Sequence, residues 1–152
     1  MNFLLCNGCK IYFHPAFLGY YNELVSRVKK LESKRNPDEF AKHPEVKLLK
    51  SLIRLITEII PADPTATYFQ LHGDLSNYKR VKKMGLEKRH RLFFKYNEDE
   101  KEIVILWLGF PRKQGDKKDC YTVFTKMVES GKFPDSFKEL VEDSSIGNFE
   151  EF

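Results

Sequence analysis

Ile103-Val104-Ile105-Leu106-Trp107-Leu108 is apolar at every position. A strand without polar alternation is buried on both faces, so this run predicts the centre of a sheet. Two more strands precede it, Tyr78 to Met84 and Arg89 to Asn97, and the run itself extends from Glu102 to Phe110. Asn97-Glu98-Asp99-Glu100 is a polar turn, so the last two strands should pair as a hairpin. A short strand is also expected at residues 10–14.

The remaining periodicity is helical. Phe17, Tyr21, Leu24, Val28 and Leu31 recur at steps of four and three, which predicts an amphipathic helix from Ala16 to Leu31. Asn36-Pro37-Asp38-Glu39 starts the next helix with a cap residue, a proline in the first turn and acids near the positive end. Pro44 should kink or restart it. The stretch from Val46 to Ile60 carries an apolar face and should stop at Pro61-Ala62-Asp63-Pro64. Asp119 can cap a later helix in which Tyr121, Phe124, Met127 and Val128 share a face, with Gly131 ending it. A short helix from Pro134 to Val141 and a loose acidic tail from Glu142 complete the chain. The order predicts an α+β fold of one domain: two N-terminal helices on one face of a small, mostly antiparallel sheet, then C-terminal helices.

No apolar run approaches the roughly 20 residues of a membrane span, and the N-terminus lacks the pattern of a signal peptide. The default expectation is a cytoplasmic protein without a membrane. Three cysteines, an odd number, argue against a disulfide framework. Cys6 and Cys9 form one CxxC, but Cys120 alone does not complete a zinc site, and the extended Lys10–Phe13 does not suit a thioredoxin-like motif.

Residues 80–96, RVKKMGLEKRHRLFFKY, hold seven Lys or Arg against the single acid Glu87. Alternation along the strand separates Arg89, Arg91, Phe93 and Lys95 from His90, Leu92, Phe94 and Tyr96. The first row would present three cations and a ring while the second packs on the helices. Arg80 and Lys82 could join that face from the preceding strand. Like charges so close repel one another, and a bound polyanion would relieve them. Phosphates beside a ring suit single-stranded nucleic acid. The charges fit a solvated, aggregation-resistant sheet face equally well.

Leu71-x-Gly73-x-Leu75, Tyr78-Lys79-Arg80-Val81 and Arg91-Leu92-Phe93-Phe94-Lys95-Tyr96 resemble the RelE/ParE toxin superfamily. The YhaV branch of type II toxin–antitoxin systems is more similar still. Asn7-Gly8, Tyr12, His14-Pro15 and Phe17 look like its start, and Arg89-x-Arg91 and Asp119-x-Tyr121-Thr122-Val123-Phe124-x-Lys126-Met127 look like its core. The likeness runs from about residue 7 to 141. The branch carries Trp-x-Asn-Asp after the last strand, whereas Trp107 here precedes Leu108-Gly109-Phe110-Pro111.

The resemblance implies a RelE-like fold and an mRNA interferase, an endoribonuclease that cleaves mRNA, either free or on the ribosome, with a cognate antitoxin of the PrlF type. His14, His43, His72 and His90 are scattered, so a metal-free and cofactor-free route is expected, in which the RNA 2′-hydroxyl attacks the adjacent phosphorus. Such a route needs a base, positive charge on the phosphorane and a proton for the leaving oxygen. Arg91 is the first candidate for the phosphorane, because a planar fork suits phosphate oxygens. Lys82, crowded by cations, is the amine expected to exchange protons. Tyr121, at a helix start with Arg112 nearby, is the candidate base, or else stacks on a base or packs in the core. Arg80, Arg89, Lys95, Lys117 and Lys118 are the candidate RNA-binding cations. His14 is expected to cap a helix, His90 to be a satisfied core or rim histidine, and Trp107 to be core. A gyrase-targeting ParE-like toxin and a non-catalytic RNA- or ribosome-binding domain are the rival readings.

Overall fold

In a computed structural model, residues 2–87, 90–109, 119–146 and 149 of the 152-residue chain are described. β1 (Leu4–Cys6), β2 (Cys9–Phe13), β3 (Lys79–Val81), β4 (Arg91–Asn97) and β5 (Glu102–Gly109) form one sheet in the order β1-β2-β5-β4-β3. The apolar run lies in β5 at the centre, and Ile103 to Leu106 are fully buried. β5 pairs antiparallel with β4 through the predicted hairpin, and β3 adds antiparallel to β4. β2 pairs parallel with β5, and β1 runs antiparallel to β2. Mostly antiparallel is therefore correct, with one parallel pair at the centre.

The β1–β2 hairpin was not anticipated. Asn7 and Gly8 both take positive φ, 49° and 80°, as a tight two-residue turn between right-twisted strands requires. The CxxC is the last rung of this hairpin, with Cys6 opposite Cys9. Asn-Gly beside a short apolar run was the available signal.

The first sheet face is covered by α1 (Pro15–Lys34) and α3 (Pro44–Arg54), with the short α2 (Pro37–Lys42) between them. Phe17, Tyr21, Leu24 and Val28 of α1 meet Val46, Leu49 and Leu52 of α3 over Ile11, Phe13, Leu92, Phe94, Ile103 and Ile105. Burial of side chains this size stabilises by roughly 1.5–3 kcal/mol each before entropy is counted. The Asn36 side chain accepts from Glu39 N–H at 2.9 Å, as its cap position predicts. His43 stands between α2 and α3 and caps the second, so Pro44 restarts the helix. The helix ends at Ala62, inside the expected Pro61–Pro64 stretch, with Pro61 accommodated in its last turn. A widened turn over Leu55–Ile59, in which Ile60 N–H reaches the Leu55 carbonyl, leads into α4 (Ile60–Ala62). That turn relieves the clash a proline ring makes with the carbonyl four residues back.

The second face is not open, which corrects the expectation of a bare cationic surface. α5 (Cys120–Glu129) and α6 (Phe137–Glu142) lie over it. Tyr12, Phe93, Val104, Leu106, Phe124, Phe133 and Leu140 form a second core there. A bulge sets its composition. Phe93 pairs with Trp107 but Phe94 pairs with Ile105, so Leu106 is extra in β5. An extra residue resets the alternation. Val104, Leu106 and Trp107 consequently serve the second core, and Ile105 and Leu108 the first. Trp107 is only partly buried, at the rim rather than in the interior. The stretch expected to be a loose tail also has anchors. Ser145 exchanges two backbone hydrogen bonds with Phe13, and Phe149 stacks on Phe13 at 4.7 Å and Tyr21 at 5.0 Å.

His14 caps α1 as expected, its Nδ1 accepting from Ala16 N–H at 3.0 Å. It is buried, its ring meets Phe133 edge-on at 4.8 Å, and the Lys132 backbone is a further hydrogen-bond partner. Burial lowers its pKa from the ordinary 6.5; the Asp143 charge and the Lys132 backbone hydrogen bond oppose the shift, and the Lys132 charge adds to it. The unfolded chain therefore binds the proton first as pH falls, so folding stability drops below about pH 6.5. His14→Asn keeps a capping oxygen without the titration. Thermal unfolding from pH 7 to 5 should cost the wild type more than this variant; equal losses would show that His14 does not carry the acid sensitivity.

Candidate active site

Two strands and one helix end meet at Tyr121. Arg80 of β3 is opposite Phe93 of β4, and Arg91 stands two residues before Phe93 on the same face. Asp119 caps α5, accepting from Thr122 N–H at 2.8 Å, which puts Tyr121 in the first helical turn. Gly109 lets α5 approach this closely. A Cβ there would lie 2.8 Å from Cys120 Sγ and 2.8 Å from the Trp107 ring. No side chain other than glycine's fits that contact without displacing one of them.

Tyr121 rests on an aromatic platform. Its ring meets Phe93 edge-on at 5.9 Å, and Phe93 lies flat on Phe124 at 4.1 Å and against Trp107 at 5.8 Å. Phe93, expected to offer an exposed ring, is fully buried beneath α5. Its role is to hold the tyrosine up.

The tyrosine oxygen accepts two hydrogen bonds, from Arg80 Nε at 2.9 Å and from Arg91 Nε at 3.1 Å. Each guanidinium is fixed at a second point. Arg80 Nη1 donates to the Tyr68 carbonyl at 2.9 Å, and Arg91 Nη1 donates to the His90 carbonyl at 2.8 Å. A guanidinium has five N–H donors. Two are used in each case, so both arginines keep donors without a partner among the described residues. Arg91 also lies over the Tyr121 ring at 5.9 Å.

Burial alone would raise the Tyr121 pKa, but the Arg80 and Arg91 hydrogen bonds and charges outweigh it and hold the phenol below its ordinary 10.0. Both lone pairs of the hydroxyl are occupied by cationic donors, so its proton points away from them. The group can accept a proton as phenolate or give one as phenol, with two positive charges alongside.

Of the other expected residues, Lys95 shares the row of Arg91 and Phe93 but stands apart, about 13 Å along the strand from Arg91. Its amine lies 5.1 Å from the Tyr78 ring and donates to the Asp135 carbonyl at 3.4 Å. Burial lowers its pKa, with Asp135 opposing the shift. Lys82 is exposed, one residue past β3, and no contact among the described residues joins it to Tyr121. Arg89, Arg112, Lys117 and Lys118 lie outside the described residues. His90 is not a satisfied histidine: its buried Nδ1 has no hydrogen-bond partner among the described residues. The carbonyl anchors at Tyr68 and His90 could not be read from side-chain patterns. Among the described residues no group of three or more His, Cys, Asp or Glu is placed to hold a metal ion, and no helix is long and apolar enough to cross a membrane.

Comparison with known proteins identifies the family. A family model for the YhaV toxin, described as a toxin with endonuclease activity, of toxin–antitoxin system, matches residues 11–145. The chain is 34% identical over 145 residues to a protein named ribonuclease toxin YhaV and to two named toxin YhaV, all from strains of Escherichia coli. These matches cover 91% of this chain and 93% of each relative. No solved structure matches. Two arginines closing on one activated tyrosine thus lie in a chain that belongs to the YhaV family, endonuclease toxins of toxin–antitoxin systems.

Proposed function

We propose that this toxin is a metal-independent endoribonuclease that cleaves mRNA through the RNA's own 2′-hydroxyl, with Tyr121 as general base. The observation that carries the reading is the pair of hydrogen bonds from Arg80 Nε and Arg91 Nε to one phenol oxygen. The name of one relative, ribonuclease toxin YhaV, supports RNA as the substrate class.

A phosphodiester approaches the free edges of Arg80 and Arg91. The tyrosine oxygen takes the 2′ proton while the 2′ oxygen attacks phosphorus. Negative charge then grows on the non-bridging oxygens, where rigid guanidinium donors stabilise it more than they did the ground state. The P–O5′ bond breaks, leaving a 2′,3′-cyclic phosphate and a 5′-hydroxyl. In-line displacement puts the attacking and leaving oxygens on opposite sides of phosphorus, so one tyrosine cannot serve both. The leaving oxygen takes its proton from a second group, for which Lys82 stays the candidate, and Arg112 would add positive charge beside the phenol. Arg89, Lys95, Lys117 and Lys118 would hold neighbouring phosphates. Ribosome-assisted cleavage in the cytoplasm and control by a PrlF-type antitoxin covering the cationic face complete the reading.

Induced expression in bacteria, wild type beside Arg91→Ala, with 5′-end mapping of cellular RNA, tests the activity. Growth arrest with new 5′-hydroxyl ends is expected for the wild type, and neither for the variant. Arrest without new ends would point away from RNA cleavage.

Tyr121→Phe removes the proton acceptor and keeps the ring on Phe93. Single-turnover cleavage should fall about 10²–10⁴-fold while RNA binding is retained. A rate within severalfold of wild type would reduce Tyr121 to a packing or stacking role.

The pH dependence follows from the lowered phenol pKa. Only the phenolate accepts the proton, so the rate climbs with pH and levels off below the ordinary tyrosine value of about 10. Arg80→Ala removes one donor and one charge, and should move the inflection up toward that value. A pH–rate profile unchanged in this variant would separate Arg80 from base activation.

A further inference from the structure

Leu5, Tyr68 and Met84 are the exposed large hydrophobic side chains among the described residues, and Tyr68 is the aromatic one, with 51% of its surface open. Its place in the fold is fixed. It sits in the short 3-10 turn Thr67–Phe69, between buried Ala66 and fully buried Phe69. Phe69 is set edge-on against Phe94 at 5.3 Å, and Tyr68 against Phe69 at 4.6 Å. Gln70, next in the chain, bridges to Lys79 at the start of β3. One edge of the Tyr68 ring packs on Phe69 and about half of its surface stays open to a ligand.

The turn is also joined to the reacting group. The Tyr68 carbonyl accepts from Arg80 Nη1, and the same guanidinium donates through Nε to Tyr121. One planar group therefore spans from the exposed ring's backbone to the activated phenol. A nucleotide presents the matching arrangement, a flat base beside a phosphate. Phe93 cannot serve as the stacking surface because it is buried under Phe124.

We propose that Tyr68 is a stacking platform for the RNA base next to the cleaved phosphate, and that it contributes to binding and to the choice of cleavage position. This rests on the endoribonuclease reading. Base–aromatic stacking tolerates every base but favours those that stack best, so the platform biases the cleavage position without a hydrogen-bond code. An acidic protein partner could also reach this face, but the exposed ring belongs to the residue whose carbonyl holds Arg80, which favours a ligand that joins a flat base to a phosphate.

The test uses purified wild type, Tyr68→Phe and Tyr68→Ala with a dye-labelled single-stranded RNA of mixed sequence. Binding is read by anisotropy, and cleavage by single-turnover rates with end mapping. Tyr68→Ala should weaken binding roughly tenfold and redistribute the cleavage positions. Tyr68→Phe should match wild type in both and in unfolding temperature, because it keeps the ring against Phe69, and circular dichroism should show that Tyr68→Ala is folded at the assay temperature. Unchanged binding and an unchanged pattern in Tyr68→Ala, with the wild type cleaving normally, would overturn the platform and leave the nuclease standing. A wild type that cleaves no RNA would instead fail the underlying reading, and the anisotropy would still decide whether Tyr68 holds RNA. Normal RNA binding by Tyr68→Ala with loss of antitoxin binding would overturn the proposal and assign the ring to the protein partner.

Discussion

Phe93 lies flat against Phe124 at 4.1 Å with the ring planes 8° apart. This contact joins the middle of β4 to the middle of α5, and much of the second face is arranged around it. Trp107 reaches the same stack because the bulge at Leu106 turns it toward α5. Phe133 closes on Phe124 from the loop after α5, and His14 meets Phe133 from the start of α1. Through these rings the first and last thirds of the chain are packed together. Aromatic pairs of this kind add about 0.5–1.5 kcal/mol beyond area burial. Their directional packing matters as much here, because Tyr121 stands on the edge of Phe93 and inherits its position.

On that platform the charges are arranged at the expense of local electrostatics. Two guanidiniums approach a single neutral oxygen, and nothing among the described residues neutralises them there. The backbone carbonyls of Tyr68 and His90 hold the two cations in place without cancelling their charge. Ionisation of the phenol or arrival of a phosphate each relieves the repulsion. On the proposed reading, guanidinium donors anchored in this way are the kind of fixed donors that favour a transition state.

Much of this was legible in the residues. The unbroken run in β5, the heptad-like stripe of α1 and the caps at Asn36 and Asp119 are local signals, and each element formed close to where its signal lies. The alternation of Arg91, Phe93 and Lys95 correctly grouped these side chains. What the row would face was misjudged, because burial of Phe93 depends on a helix that begins after residue 119. The six apolar residues of β5 already required cover on both sides, a demand that helices on one face could not meet. The convergence of Arg80 and Arg91 on Tyr121 joins residues 41 and 30 positions apart. No local pattern reports such a distance; the bulge and the close Gly109–Cys120 approach that produce it are tertiary facts. Lys82 lies one residue past β3 and makes no contact with the tyrosine among the described residues, a placement that its position beside other cations in sequence did not decide.

The parallel pairing of β2 with β5 has a consequence for how the toxin comes into being. Residues 9–13 leave the ribosome early, and their partner at the sheet's centre follows some ninety residues later. Pairing at such separation is slow to form, because the intervening chain must be ordered first. Tyr121 comes later still, after the last strand. A chain interrupted in synthesis before α5 carries both arginines and no phenol for them to activate. The contact of Arg80 and Arg91 with Tyr121 therefore forms only after translation has passed the whole sheet and entered α5.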